Sequence, residues 1–269
     1  SGSTVVNPNT VTFTIPYGFQ ITSNVTWNAP LIKVDGFAEV MPGAVLTIAS
    51  GTKIEFIHHP DPLDPMPYGV ARLIVNSGAY LIANTATLTG CSGGIWDGIE
   101  LLGTGIFNTG FSQSSIYCTI ENADIGIYTA GRPKINQSIV NNWGGAFFMS
   151  GAKFINCRKG IVISGNLNSY NYDISLTLFT YDKNSKYKNS YSLANNDMPV
   201  HITAEKNVVL TLQSNWFLGG INDFSGNFRG TGLLCNDCKP DIKSTFGINH
   251  FAGLTKGIEA NYIFTSNQL

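Results

Sequence analysis

The sequence predicts an all-β fold, a parallel β-helix (solenoid) of about eight coils averaging roughly 32 residues. Three observations carry that prediction. A short strand recurs with one layout: Gly98-Ile-Glu-Leu-Leu-Gly103, Gly126-Ile-Tyr-Thr-Ala-Gly131 and Gly160-Ile-Val-Ile-Ser-Gly165 each run from a glycine through alternating apolar residues to a second glycine. Looser copies begin at Gly36, Gly69, Gly232 and Gly257. Gly98, Gly126 and Gly160 are spaced by about 28 and about 34 residues, close to the length of one coil in a large solenoid. No segment combines a sustained 3.6-residue apolar period with helix caps. The glycines are read as corners between stacked strands.

Composition points the same way. Charged residues make up 12% of the 269 and glycine accounts for 29 of them. Chains poor in charge and rich in Gly, Asn, Ser and Thr make many turns and few surface helices. A hydrophobic content of 43% excludes a disordered chain. The formal net charge is −1. With no basic patch carrying interleaved aromatics, bulk attraction to nucleic acid or to an anionic membrane is excluded. No apolar run reaches the length of a membrane span.

Residues 1–35 read as an N-terminal lead-in, with a strand at Thr10–Ile15 and a second stretch, Ile21–Pro30, that holds Trp27. A solenoid has an open apolar end, so the lead-in is expected to be its cap. The helix proper is expected over 36–269. Val40-Met-Pro-Gly-Ala-Val-Leu46 and Val75-Asn-Ser-Gly-Ala-Tyr-Leu81 repeat one pattern at an offset of about 35 residues, a single coil. Asn122, Asn156, Asn215 and Asn249 precede later strands. They are read either as left-handed turn residues or as a ladder of stacked amides inside the coil. The rung between Gly160 and Gly232 is assigned to Val200–Thr203, followed by Val208–Leu212.

The five cysteines are odd in number. Cys91, Cys118 and Cys157 fall in strand-like segments and read as small buried apolar residues. Cys235 and Cys238 form a lone CxxC. Zinc would require a second pair and a thioredoxin-type motif a βαβ setting, and neither is present. The remaining readings are a local Cys235–Cys238 disulfide or free structural thiols.

Asn24-Val-Thr-Trp27, Val34-Asp-Gly36, Met41–Ile48 and Gly51–Ile54 resemble the opening coils of right-handed parallel β-helix repeat proteins. Gly94-Ile-Trp-Asp-Gly-Ile99 resembles the tryptophan-bearing turn of that group. The resemblance is to the pectate-lyase-like architecture of secreted and cell-surface proteins from Bacteroidetes-type bacteria, and it implies an extracellular or cell-surface location. The same architecture hosts polysaccharide lyases and polygalacturonases. Of the polygalacturonase motif set only Arg132-Pro-Lys134 matches, and no carboxylate cluster repeats at the coil period.

Four connections are long: His58–Tyr68, Ser92–Asp97, Tyr181–Asp197 and Leu218–Arg229. All precede repeat strands at one phase, so they are expected to leave from a single edge of the coil. They gather the candidate ligand-binding residues. The first holds His58, Asp61, Asp64 and Tyr68, and the second Trp96 and Asp97. The third holds Tyr187, and the fourth Asp223 and Arg229, with Trp216 just ahead of it. Aromatic faces beside carboxylates, amides and a guanidinium are what a sugar requires. Asp61 and Asp64 are the candidate ligands for calcium, which prefers hard oxygen donors. His58 and His59 point opposite ways in an extended chain, which works against joint transition-metal ligation. His201 and His250 read as structural, and no nucleophile–base constellation or phosphate loop is found by spacing.

The expected function is an extracellular structural or adhesive module that binds polysaccharide or cell-surface glycan along the loop-bearing corner. No catalytic residue is assigned, and calcium is the only cofactor considered. Two other readings stay open. One is a polysaccharide lyase or glycoside hydrolase drawing on Asp61, Asp64, Asp97, Asp223 and Arg229. The other is a self-assembling surface or filament subunit that stacks through Thr10–Ile15 or the C-terminal coil.

Overall fold

The computed structural model describes residues 12–59, 70–109, 118–130, 144–164, 171–181, 199–205, 208–219, 230–243 and 247–261. Among these the regular structure is a series of short strands and one 3₁₀ turn at Cys91–Gly93. The strands are dealt in rotation into three sheets of nine, nine and eight strands. The ladders within each sheet are parallel. Sheet 1 starts with Thr12–Ile15, sheet 2 with Phe19–Ile21 and sheet 3 with Val25–Trp27. The same order repeats until His250–Ala252 in sheet 1 and Lys256–Asn261 in sheet 2. The chain is therefore a parallel β-helix, and parallel crossovers of this kind favour the right-handed sense.

Residues 12–35, expected as a lead-in, share the sheets of the helix. Thr12–Ile15 pairs in register with residues 31–34, and the first strands of sheets 2 and 3 pair with Phe37–Val40 and Val45–Ile48. The rung assigned to Val200 is also present, as Val200–Glu205 in sheet 2 followed by Val209–Gln213 in sheet 3.

Alternation with period two sends one set of side chains inward, and stacking turns each inward position into a column. In sheet 1 the column after Phe13 is aliphatic, with Ile32, Ile54, Leu88 and Ile120 in successive register. It then becomes aromatic. Phe154, Phe179, Phe217 and Phe251 stack face to face, with centroids 4.9, 5.0 and 4.6 Å apart. These spacings match the strand repeat, so each ring lies on the ring of the coil below without leaving its rotamer.

The recurring glycines have a different role from the one expected of them. Gly126, Gly160, Gly232 and Gly257 lie inside sheet 2 strands and not at corners. They are small because the phenylalanine ladder crosses in front of them. A Cβ at Gly160 would sit 2.5 Å from the His201 carbonyl and 3.0 Å from Phe179 Cδ1. At Gly126 it would sit 2.5 Å from the Gly160 carbonyl and 2.9 Å from Phe154. The corners themselves use left-handed residues. In the V-x-x-G-A-x-L repeat, Gly43 and Gly78 have φ of +82° and +75°. The alanines after them are fully buried.

Both readings of the asparagines hold, in different coils. Asn122 and Asn156 are left-handed turn residues, with φ of +56° and +55°. Asn215 and Asn249 form an amide ladder. Asn215 Nδ2 donates to Asn249 Oδ1 at 3.0 Å and to the Ile174 carbonyl at 2.8 Å, while Asn215 Oδ1 accepts from the Thr177 amide at 3.0 Å. Asn249 Nδ2 closes the series on the Leu212 carbonyl at 3.0 Å. Replacing Asn215 by Leu strips its partner from the Thr177 amide and the Ile174 carbonyl, and one donor from the Asn249 side chain. It is expected to cost about 2–3 kcal/mol, read as a lower urea midpoint with an unchanged m-value.

Candidate functional site

All four long connections run from sheet 1 to sheet 2. They link residues 57 to 72, 90 to 98, 180 to 200 and 218 to 231, and each departure strand belongs to sheet 1 and each arrival strand to sheet 2. These four share the corner between the two sheets, but insertions are not confined to it: residues 128 to 146 link sheet 2 to sheet 3, and residues 108 to 118 link sheet 3 to sheet 1. The stem of the first loop is closed by an antiparallel bridge in which the His59 amide donates to the Val70 carbonyl at 3.0 Å and the Val70 amide returns the bond at 2.8 Å. Asp61, Asp64, Tyr68, Tyr187, Asp223 and Arg229 lie outside the described residues, and with them the expected calcium ligands.

The described candidates divide into inner and outer groups. Trp96 and Asp97 are inside the coil, not on its edge. Trp96 is fully buried, stacks on Phe56 at 4.3 Å, and donates from Nε1 to the Glu121 carbonyl at 2.8 Å. Gly90 is the register partner of Phe56, and a Cβ there would strike the Gly94 carbonyl of the same connection. Asp97 is 2% exposed, and its carboxylate accepts from the Ala71 amide at 2.9 Å. Neither presents a face to a ligand. His58 is half-buried, with Nε2 against the Ile95 carbonyl. His59 points away to Asp35 Oδ1, 3.1 Å distant, and packs on Tyr17. Trp216 is the exposed member, at 49%. It lies on the outer side of sheet 1, stacked on His250 with centroids 4.0 Å apart.

Beneath the same corner is a buried polar layer that spacing did not disclose. His201 occupies the register position that is glycine in the coils on either side, Gly160 and Gly232. It is 2% exposed, stacks on Tyr181 at 4.8 Å, and bonds the Leu218 carbonyl through Nε2 at 3.1 Å. Burial pulls its pKa down to about 3, partly opposed by the Leu218 carbonyl. The Tyr181 hydroxyl is buried with no hydrogen bond among the described residues, and burial raises its pKa well above the usual value. Nearby, Arg158 grips Asp124 through two nitrogens, at 2.6 and 3.2 Å. Arg72 and Glu100 form a second buried ion pair at 2.8 Å.

The outer face of sheet 2 carries a groove of ≈ 380 Å³ over the later coils. It is lined by Lys159, Val200, Thr203, Glu205, Thr231, Leu234, Asn236, Thr255, Lys256 and Glu259. The strands holding Thr203 and Leu234 are the ones that receive the third and fourth loops, so the groove adjoins the loop-bearing corner. Cations and carboxylates balance: Lys256 pairs with Glu259 at 2.8 Å. Val200 and Leu234 supply an apolar strip between hydroxyl and amide groups. Thr203 is 4% exposed, and its Oγ1 has no hydrogen-bond partner among the described residues. None of these residues was selected from the sequence. The available signal was the outward position of each rung after the glycine, read down successive coils instead of along one strand.

Cys235 and Cys238 are both buried and stand as free thiols. A hydrogen bond between them draws Cys235 down and pushes Cys238 up. Burial holds Cys118 and Cys157 up at about 12, as unreactive thiols. Among the described residues no group of His, Cys, Asp or Glu gathers to hold a metal, and no helix is long and apolar enough to cross a membrane. Compared with family models, curated proteins and solved structures, the chain returns no match.

Proposed function

We propose that the chain is a structural or adhesive β-helix module, displayed outside the cell, that holds a glycan in the sheet 2 groove beside the loop-bearing corner. The observation that carries this reading is Thr203. A buried hydroxyl without a partner costs about 1–3 kcal/mol. Thr203 is one of the residues lining the groove, and although its Oγ1 is closed to solvent as it stands, rotation about χ1 would turn it toward a bound hydroxyl group. The rest of the lining fits a polyol. Charge is near balance, donors and acceptors alternate, and Val200 and Leu234 offer an apolar strip for the C–H face of a sugar ring. Trp216, exposed on the other side of the corner, is a second platform of the kind sugars stack upon.

Binding to a glycan array, followed by calorimetry on the ligands retained, tests this. Thr203→Val keeps the side-chain volume and removes the hydroxyl. It is expected to weaken binding by roughly five- to tenfold, the worth of one hydrogen bond. An array that retains no ligand, or a Thr203→Val chain that binds like its parent, overturns the reading.

A hydrolase reading draws on one observation, the presence of Glu205 and Glu259 in the same groove. Their strands are two apart in sheet 2 and their positions are offset by two residues. That sets their Cα atoms roughly 12 Å apart from strand geometry. Retaining and inverting mechanisms need a pair of carboxyl groups about 5 to 9.5 Å apart with no competing partner. Glu259 is already engaged by Lys256 at 2.8 Å, so a binding groove is the better account. Turnover of a glycan that is abolished by Glu205→Gln would reverse that order.

A further inference from the structure

We propose that Cys235 and Cys238 form a dithiol–disulfide site, closed by exchange with a low-molecular-weight disulfide and reopened by the corresponding thiol, that clasps the corner between sheets 2 and 3. Both residues are buried members of the core. A hydrogen bond joins their side chains, so the two sulfurs already face each other. Between them lie Asn236 and Asp237, and Asp237, with φ of +60°, makes the left-handed turn from sheet 2 into sheet 3. Sulfurs in such contact are brought to bonding distance by rotation about the two χ1 angles. The column that holds Cys235 leaves room for a second sulfur. Val75, Leu101 and Ile163 occupy that inward position in earlier coils, whereas Ala204 and Ala260 flank Cys235. Cys157 is placed differently, since its thiol donates to the Ile120 carbonyl at 3.5 Å.

The polarity of the contact sets the order of events. The hydrogen bond favours the thiolate on Cys235 and keeps the proton on Cys238. The thiolate is the nucleophile of disulfide exchange. Cys235 Sγ attacks one sulfur of the small disulfide, whose S–S bond breaks. One small thiol leaves and a mixed disulfide remains on Cys235. Cys238 then gives up its proton, and its Sγ attacks Cys235 Sγ. The Sγ–Sγ bond forms and the second small thiol departs. Two protein thiols are oxidised, one small disulfide is reduced to two thiols, and the two protons end on those thiols. Access runs through the turn. Asp237 is exposed. The turn is tied to the next coil by the Asp237 amide on the Asn261 carbonyl at 2.8 Å and by Asn261 Nδ2 on Asn236 Oδ1 at 3.0 Å. Breaking those two bonds is a local opening that bares the pair while the coils below stay folded.

Equilibration in glutathione buffers of graded redox ratio, then acid quenching, alkylation of the remaining thiols in denaturant and intact mass, tests the proposal. Of the five cysteines, the partly exposed Cys91 is replaced by Ser, which leaves four. The reduced Cys91→Ser chain is expected to carry four labels. At oxidising ratios it is expected to carry two labels and no glutathione, with Cys235 joined to Cys238 in the peptide map. Its urea midpoint is expected to rise on closure. In the same background Cys238→Ser is expected to trap glutathione on Cys235, while Cys235→Ser takes up none on Cys238. Four labels at every ratio, a bond to Cys118 or Cys157, an unchanged midpoint, or equal trapping by the two variants would overturn the proposal. The label count and midpoint of the chain with the pair intact decide the matter even where a serine variant fails to fold. None of these readouts involves a glycan, so the two proposals fail separately.

Discussion

A Phe179→Ala chain is expected to lose about 3–5 kcal/mol of stability, the largest effect of any single substitution in the ladder. Phe179 is fully buried and lies between two rings, Phe154 at 4.9 Å and Phe217 at 5.0 Å, with interplanar angles of 11° and 5°. Removing the middle ring forfeits its transfer energy and both stacked contacts, each worth about 0.5–1.5 kcal/mol. The cavity has little means of collapsing, since backbone ladders on three sides hold the neighbouring rings at their heights. The loss is also expected to be local, because each coil touches only the coils beside it. Hydrogen exchange should quicken in strands Ala152–Ile155, Leu178–Thr180 and Trp216–Leu218 while Val45–Ile48 keeps its protection. A penalty below about 1.5 kcal/mol would mean that the ladder is not continuous. Equal acceleration throughout would mean that the coils unfold as one block.

Stability is expected to decline as the pH falls from 6.5 toward 3, by about 1.4 kcal/mol per unit through this one group, and the group is His201. In the folded chain its pKa is about 3, against the ordinary 6.5, because burial disfavours the imidazolium. The unfolded chain therefore binds a proton that the folded chain refuses throughout that window. The neutral form's contribution is complete above pH 6.5, decreases as pH falls, and is gone below pH 3. The full swing is on the order of 5 kcal/mol. Urea midpoints at a series of pH values, for the parent and for His201→Gly, isolate the effect. The variant restores the glycine of the neighbouring coils and removes the titrating ring, so its slope in this window should be shallower. Identical slopes for the two chains would show that His201 is not the source.

The architecture was legible because its cause is local and repeated. One inward isoleucine or leucine per rung, with a glycine ahead of it, marks sheet 2 in the Gly98, Gly126, Gly160, Gly232 and Gly257 strands alike. The phase of the insertions followed from the same marker. What the glycine does was not legible, since the reason for it is a phenylalanine of the next coil on another sheet: Phe154 for Gly126, Phe179 for Gly160 and Phe251 for Gly232. Trp96 and Asp97 illustrate the converse. They sit in a connection rich in glycine and serine and read as surface, yet the connection folds inward to cover Phe56. His201 could not be distinguished from an ordinary strand histidine until its column was known. The groove was missed because its residues are each unremarkable. Thr203, Leu234 and Glu259 become a lining only when three coils are brought side by side.

The placement of four loops at one corner also sets a fixed ruler along the molecule. The stems at residues 59 and 70 and at 90 and 98 are on adjacent coils, and those at 181 and 199 and at 219 and 230 are on another adjacent pair, four coils further along. Strand spacing makes that interval about 19 Å. The backbone ladder fixes it, so neither side-chain identity nor loop length can change it. Two weak contacts made at the two stations would reinforce each other only for a partner whose own spacing agrees. A partner that repeats at a different interval could occupy one station at a time and would gain nothing from the second. Selectivity of this kind resides in distance, and loop sequences could vary freely without losing it.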